Sequence, residues 1–199
     1  DRVYLDYSNL QSGKLSGWKL HDEGTFLQLG LCYDLIYNSG VLTEADKQLI
    51  ENGAFRECAL LLTATSPKGC CINDGPYAMS CGAMLGALLG DHNTVKWAVD
   101  HPDGFRAFIK RYFFRDGHWE DGSFSYEGMA LGPLYACPEI LQGYSDPPAY
   151  TGADRYDKLD LLGDPLLRKI YVAPLTVLTP QRTGPPISDS TGSPTHSST

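Results

Sequence analysis

Apolar residues recur at helical spacing in one segment after another along this chain, and almost nowhere do they alternate with polar residues over four or more positions. That pattern excludes a sheet-built core and predicts an all-α domain. Residues 24–38 carry Phe26, Leu27, Leu31, Leu35 and Ile36 on one helical face and stop at Asn38-Ser39-Gly40. Thr43-Glu44-Ala45-Asp46 has the form of a capping box, and an apolar face then continues to about Thr63, which completes a helical hairpin. Residues 76–90 open with Pro76 and are rich in Ala and Gly, a composition that lets a neighbouring backbone approach closely. Further helical pieces are predicted over Thr94–Val99, Phe105–Phe114 after the His101-Pro102-Asp103-Gly104 break, about Ser123–Gln142, and about Asp164–Tyr171. Pro133 and Pro138 are expected to kink or interrupt the Ser123–Gln142 piece. Successive antiparallel hairpins of this length suit an α/α toroid, while periodicity alone leaves an open bundle or a solenoid standing beside it.

The remaining composition narrows the function classes. A formal net charge of -8 and a pI near 5.0 argue against an unaided nucleic-acid binder, which needs a concentrated Lys/Arg surface. No run approaches the ~18 apolar residues of a membrane helix. The chain opens at Asp1 with neither Met nor a signal-type segment, as expected of a chain that starts after a removed part. The six cysteines are too sparse for a disulfide scaffold, and most fall inside apolar helical patterns; the vicinal Cys70-Cys71 lacks zinc-knuckle spacing, so neither a metal nor any other cofactor is expected. Residues 1–175 are expected to form the helical domain. Residues 176–199 read as a linker or tail, since Pro, Thr, Ser and Gly dominate from Val172 on.

Two segments hold more polar and aromatic groups than packing requires. Cys70 to Tyr77 forms a turn into the small-residue helix, where Asn73 and Asp74 either hold an anion or satisfy free backbone N–H groups. Asp116 to Glu127 packs His118, Trp119, Tyr126 and the carboxylates of Asp116, Glu120, Asp121 and Glu127 into twelve residues. Aromatic faces stack on pyranose rings, and carboxylates or a phenol move protons, so these residue types suit a sugar site. A solvated acidic loop anchored by Trp119 and Phe124 fits equally well. His21 and His101 read as loop residues, His92 as a turn residue and His196 as part of the tail.

The ordered pieces LCYDLIYNSGVL, TEADKQLIENGAF, an Asn-containing turn before an Ala/Gly helix ending LLGD, and GFRAFIKRYFFRDGHWEDGSFSYEGMAL resemble the helical toroid of the heparinase II/III-like and related alginate lyases. The resemblance spans roughly residues 20–190 and is most specific over 116–131, where an Asp-Gly, a Trp, an acidic-Gly-Ser and a Tyr three residues after that Ser follow in order. It implies an incomplete α/α toroid whose β-sandwich domain is missing, and an enzyme, secreted or periplasmic, that cleaves an acidic polysaccharide by β-elimination. It also implies that Tyr126 is the catalytic tyrosine and that Asn73 helps neutralise the uronate carboxylate. His118, Trp119, Glu120 and Asp74 would then contact substrate. Several family members have histidine where this chain has Asp74, which leaves the general base unassigned.

A uronyl C5-epimerase begins with the same proton abstraction. A toroid glycoside hydrolase would instead use a pair among Asp116, Glu120, Asp121 and Glu127, and a non-catalytic carbohydrate-binding module would use none of them. All the enzymatic readings built on Tyr126 share one geometric expectation, that Asn73 and Tyr126 open into one groove.

Overall fold

The computed structural model describes residues 19–67 and 72–190, with side chains from Asp22 onward. The helices are α1 (Lys19–Ile36), α2 (Glu44–Ile50), α3 (Arg56–Thr63), α4 (Gly75–Leu89), α5 (His92–Asp100), α6 (Phe105–Tyr112), α7 (Phe124–Ile140) and α8 (Pro165–Thr176). A single π-helical turn, Glu51–Phe55, joins α2 to α3, so the Asn52-Gly53 pair does not break the helix there. The described residues contain only two isolated β-bridges, Phe113 with Trp119 and Tyr144 with Leu159. The protein is all-α.

α4 is the hub. From Gly75 to Gly86 every residue except Tyr77 is buried, and α4 packs against α1, α3, α5 and α7. Its small residues explain how so many neighbours fit: a methyl added at Gly82 would lie 2.8 Å from the Trp97 ring, and one at Gly86 would lie 2.8 Å from the backbone nitrogen of Val95. Around it Phe105, Phe108, Ile109, Leu134 and Ile170 are fully enclosed, each contributing about 2–3 kcal/mol of apolar burial.

Side-chain pairs fix the helix directions. Gly24 lies against Tyr77, and Gly30 against Met84 and Leu88, so α1 and α4 ascend together. Ser80 donates its hydroxyl hydrogen to the carbonyl of Pro133. Tyr77 meets Met129 across one groove, and Ala87 and Leu88 meet Glu139 and Ile140 across the next, so α7 ascends with them. Between these three parallel helices the chain runs back. Tyr37 lies under Lys47 and Tyr33 packs on Phe55 while donating to Glu51 (2.6 Å), and Gly86 faces Val95 where Gly82 faces Trp97. The α1 to α3 segment and the pair α4 and α5 are antiparallel hairpins.

Several boundaries differ from expectation. α1 starts at Lys19 and not at residue 24, because Asp22 and Glu23 are buried inside its first turns despite their charge. Neither Pro133 nor Pro138 interrupts α7, which runs unbroken to Ile140; Gly128 and Gly132 carry no side chain to crowd the rings. α8 continues past Tyr171 through Pro174 to Thr176, with Ile170 and Ala173 buried, so the expected change to linker at Val172 comes too early. Beyond α8 the chain is irregular but not detached up to Ser190: Gly184 lies against the Phe124 ring, and the Ser190 hydroxyl accepts the Ser125 amide (3.1 Å). Residues 191–199, including His196, lie outside the described residues, as do Cys70 and Cys71.

Candidate functional site

Because α1, α4 and α7 ascend together, their first turns gather at one end of the molecule. Asn73, half-buried, sits in the turn 72–74 that leads into α4. Asp74 is buried at the cap position of α4, but its backbone is already helical (φ -78°, ψ -32°) and its side chain makes no capping bond to the helix. The simple capping role considered for Asp74 is therefore not the one it plays.

Tyr126 is held in the first turn of α7 by the capping residue Ser123, whose hydroxyl accepts the Tyr126 amide (3.3 Å). Ser123 is in turn fixed by Asp121, which accepts its amide (2.9 Å). At 100° per residue Tyr126 lies about 60° around α7 from Met129. Met129 and Tyr77 line a groove of ≈650 Å³ together with Gly24, Thr25, Gln28, Leu29 and Cys32. Neither Asn73 nor Tyr126 lines this groove; in sequence each comes about one helical turn before a residue that does, Tyr77 and Met129. A second stretch of ≈440 Å³ follows between α1 and α7, bordered by Asp34 and Glu139. From Tyr77 to Leu88 the floor runs about 16 Å.

The 116–122 loop is clamped to α8. Gly117 has φ +99°, and a side chain there would run 2.5 Å from the backbone of Lys169, so only glycine allows the contact. Trp119 is 2% exposed and packs on Phe113 and Phe108. Its ring is part of the core and offers no face to a sugar, which corrects the stacking role expected of it. His118 lies between two helices, with Nδ1 3.4 Å from the Glu127 carboxylate and Nε2 3.3 Å from the Thr176 hydroxyl. Glu127 is about 160° around α7 from Met129, so this pair faces α8 and not the groove. Burial pushes the Glu127 carboxyl above its ordinary range, against the opposing pull of His118. Glu120 is exposed, as are Asp116 and Asp121. Of the residues singled out in this loop, Tyr126 stands one turn before the groove-lining Met129, Trp119 is part of the core and His118 faces α8.

A second polar cluster lies at the far end of the helices. His92 is not a turn residue: it is the first residue of α5, buried at 3%. Its Nδ1 donates to Asp146 (2.8 Å), its Nε2 lies 3.3 Å from Asp154, and its ring stacks on Tyr150 at 3.8 Å. Asp146 also accepts the Tyr156 amide (2.7 Å) and the Tyr144 hydroxyl (3.0 Å). Asp154 pairs with Lys96 and accepts the Tyr150 hydroxyl (2.6 Å). The buried groups of this cluster pair with one another and with half-exposed Asp154, and together they fasten the 144–159 loop to α5.

No group of His, Cys, Asp and Glu among the described residues has the arrangement of a metal site. No helix among them is long and apolar enough to cross a membrane. No protein-family model and no curated protein sequence matches the chain.

Proposed function

We propose that this chain is the helical body of a secreted or periplasmic polysaccharide lyase that cleaves uronic-acid-containing chains by β-elimination, and that α1, α4 and α7 are inner helices of an incomplete α/α toroid. The support is the parallel course of α4 and α7, which starts both helices at one end of the molecule, beside a groove lined by Tyr77 and Met129. Proton abstraction at C5 of a uronate becomes feasible when the neighbouring carboxylate is neutralised. An amide donor such as Asn73 aimed at the developing enolate stabilises that charge in the transition state. Tyr126 supplies a phenol from a fixed first turn and protonates the leaving glycosidic oxygen. The lining of the groove is largely apolar, with Thr25, Gln28 and Tyr77 as its polar points.

The test is incubation with a panel of defined uronans while absorbance of the unsaturated product is followed in the ultraviolet. Tyr126→Phe is expected to lower turnover by about 10²–10⁴ with folding and polysaccharide affinity retained, the range for loss of a proton-transfer group. Asn73→Ala is expected to weaken both binding and turnover. Exchange of C5 hydrogen with solvent at unchanged chain length would assign an epimerase instead. One observation favours a hydrolase as second reading: Glu127 is buried and its carboxyl is pushed toward the protonated form, as a general acid requires. Saturated reducing ends that vanish in Glu127→Gln and persist in Tyr126→Phe would establish that reading.

A further inference from the structure

Two carboxylates hold one imidazole. Buried His92, at the start of α5, has its Nδ1 2.8 Å from Asp146 and its Nε2 3.3 Å from Asp154. A neutral imidazole has one N–H and one lone pair, so it donates to only one of these carboxylates and turns its lone pair on the other. Neither carboxylate is placed to bring the missing hydrogen. Asp146 already accepts the Tyr156 amide (2.7 Å) and the Tyr144 hydroxyl (3.0 Å), and Asp154 the Tyr150 hydroxyl (2.6 Å) and the Lys96 ammonium. Both carboxyls are held below their ordinary range, Asp154 by Lys96 and Tyr150, and Asp146 by its donors against the upward push of burial. The other ionisable groups nearby leave this count unchanged. Arg155 is occupied by the carbonyls of Asp146, Pro147 and Tyr150, Asp91 accepts the Asn93 amide and the Thr94 hydroxyl, and Tyr156 donates to Asp100. Residues 82–89, the second half of α4, include no ionisable side chain.

We propose that His92 is a proton-operated latch: as an imidazolium it ties the 144–159 loop to α5 at both Asp146 and Asp154, and on giving its Nε2 proton to water as pH rises it releases Asp154. With both ring nitrogens protonated, the charges of His92 and Lys96 balance those of the two carboxylates, whereas a neutral ring leaves one negative charge in excess around it. The two contacts then part ways. Asp146 is enclosed and keeps the Nδ1 hydrogen, while half-exposed Asp154 faces a lone pair and has Lys96 and water as alternatives. Tyr150, which stacks on the ring at 3.8 Å and donates to Asp154, leaves with it, so the span that opens is residues 147–155. Histidine side chains change charge between about pH 5 and 8. The latch is closed on the acid side of that range and open on the alkaline side.

The experiment reads two quantities by magnetic resonance on the full chain labelled with nitrogen-15. Imidazole nitrogen shifts report which ring atoms carry hydrogen, and amide exchange, divided by the intrinsic rate at each pH, reports opening of the loop. At about pH 5 both His92 nitrogens are expected to be protonated, and at about pH 8 only Nδ1. Over the same interval the protection of the Tyr150 and Arg155 amides, which bond to the carbonyls of Pro147 and Gly152, is expected to fall by about tenfold or more, the weight of one hydrogen bond to a charged group. Protection of the Tyr156 amide on Asp146 stays unchanged. Asp154→Asn, at a half-exposed position that leaves the Asp146 contact in place, removes the change with pH. A single protonated nitrogen on His92 at the acid end, equal protection of Tyr150 and Arg155 at both ends, or a fall that persists in Asp154→Asn overturns the proposal.

Discussion

Single residues in this protein carry charges whose surroundings set opposite pH dependences. Burial alone would raise the Asp146 carboxyl, but the Tyr156 amide, His92 and the Tyr144 hydroxyl outweigh it and hold the group below its usual range. Its contribution to stability is therefore complete above the unfolded carboxylate value and disappears as pH falls through the folded one. Asp146→Asn is expected to cost about 2–3 kcal/mol at neutral pH, with the gap to the parent closing in strong acid, as followed by urea unfolding across pH. Glu127 has the reverse sign. Its carboxyl is raised, so its favourable contribution is full below the unfolded value and is lost as pH rises through the folded value. Glu127→Gln is accordingly expected to melt at or above the parent temperature at neutral pH and to show no advantage below about pH 4, the ordinary range of a glutamate. Neither behaviour is legible in the sequence. His92 and Asp146 stand 54 positions apart and His92 and Asp154 62 apart, so a local reading saw only a turn histidine between two helices. Trp119 misled for a related reason: its loop is rich in polar groups, while its ring is claimed by Phe108 and Phe113 from the preceding helix.

At the scale of elements, α4 tests how far helix packing depends on absent side chains. Gly86→Ala replaces a helical glycine and on propensity alone would gain up to about 1 kcal/mol. The added methyl would sit 2.8 Å from a backbone nitrogen and 3.3 Å from the Asp91 carbonyl, neither of which moves without shifting α5. Overpacking of this kind costs about 1–3 kcal/mol, so the net effect expected is a lower melting temperature, in contrast to Gly128→Ala, where the added methyl meets nothing within 4 Å. The helical period identified the α1 to α3 hairpin, and the Thr43–Asp46 capping box is present as read, with the Thr43 amide donating to Asp46 (3.0 Å) and the Asp46 amide to Thr43 (3.2 Å). Boundaries were harder to place. Pro133 and Pro138 look like breaks in one dimension, yet α7 runs unbroken through both, packed against α4 and α8. α8 outran its expected end because Ile170 and Ala173 still have a core to face, which composition beyond Val172 does not reveal.

For the molecule as a whole, antiparallel hairpins were legible and the parallel course of α1, α4 and α7 was not, because direction between non-consecutive helices is written only in contacts such as Ser80 with Pro133. That course has an electrical consequence. Each helix dipole leaves about +0.5 elementary charge at its N-terminus, and here three of them point at the same end. With a net charge of -8, this chain would need such a pooled field to draw in a polyanion. The same end, however, holds Asp22 and Glu23 in α1 and Asp74 at the start of α4, all buried. Three half-charges do not exceed those carboxylates, and burial keeps salt from screening them. On the proposed function, a uronate at this end would then be held by short hydrogen bonds rather than drawn in by long-range attraction. Uronan affinity is expected to change less than about threefold between low and physiological ionic strength in a titration, whereas a steep fall with salt, as counterion release from a basic surface produces, would place the binding surface elsewhere on the molecule.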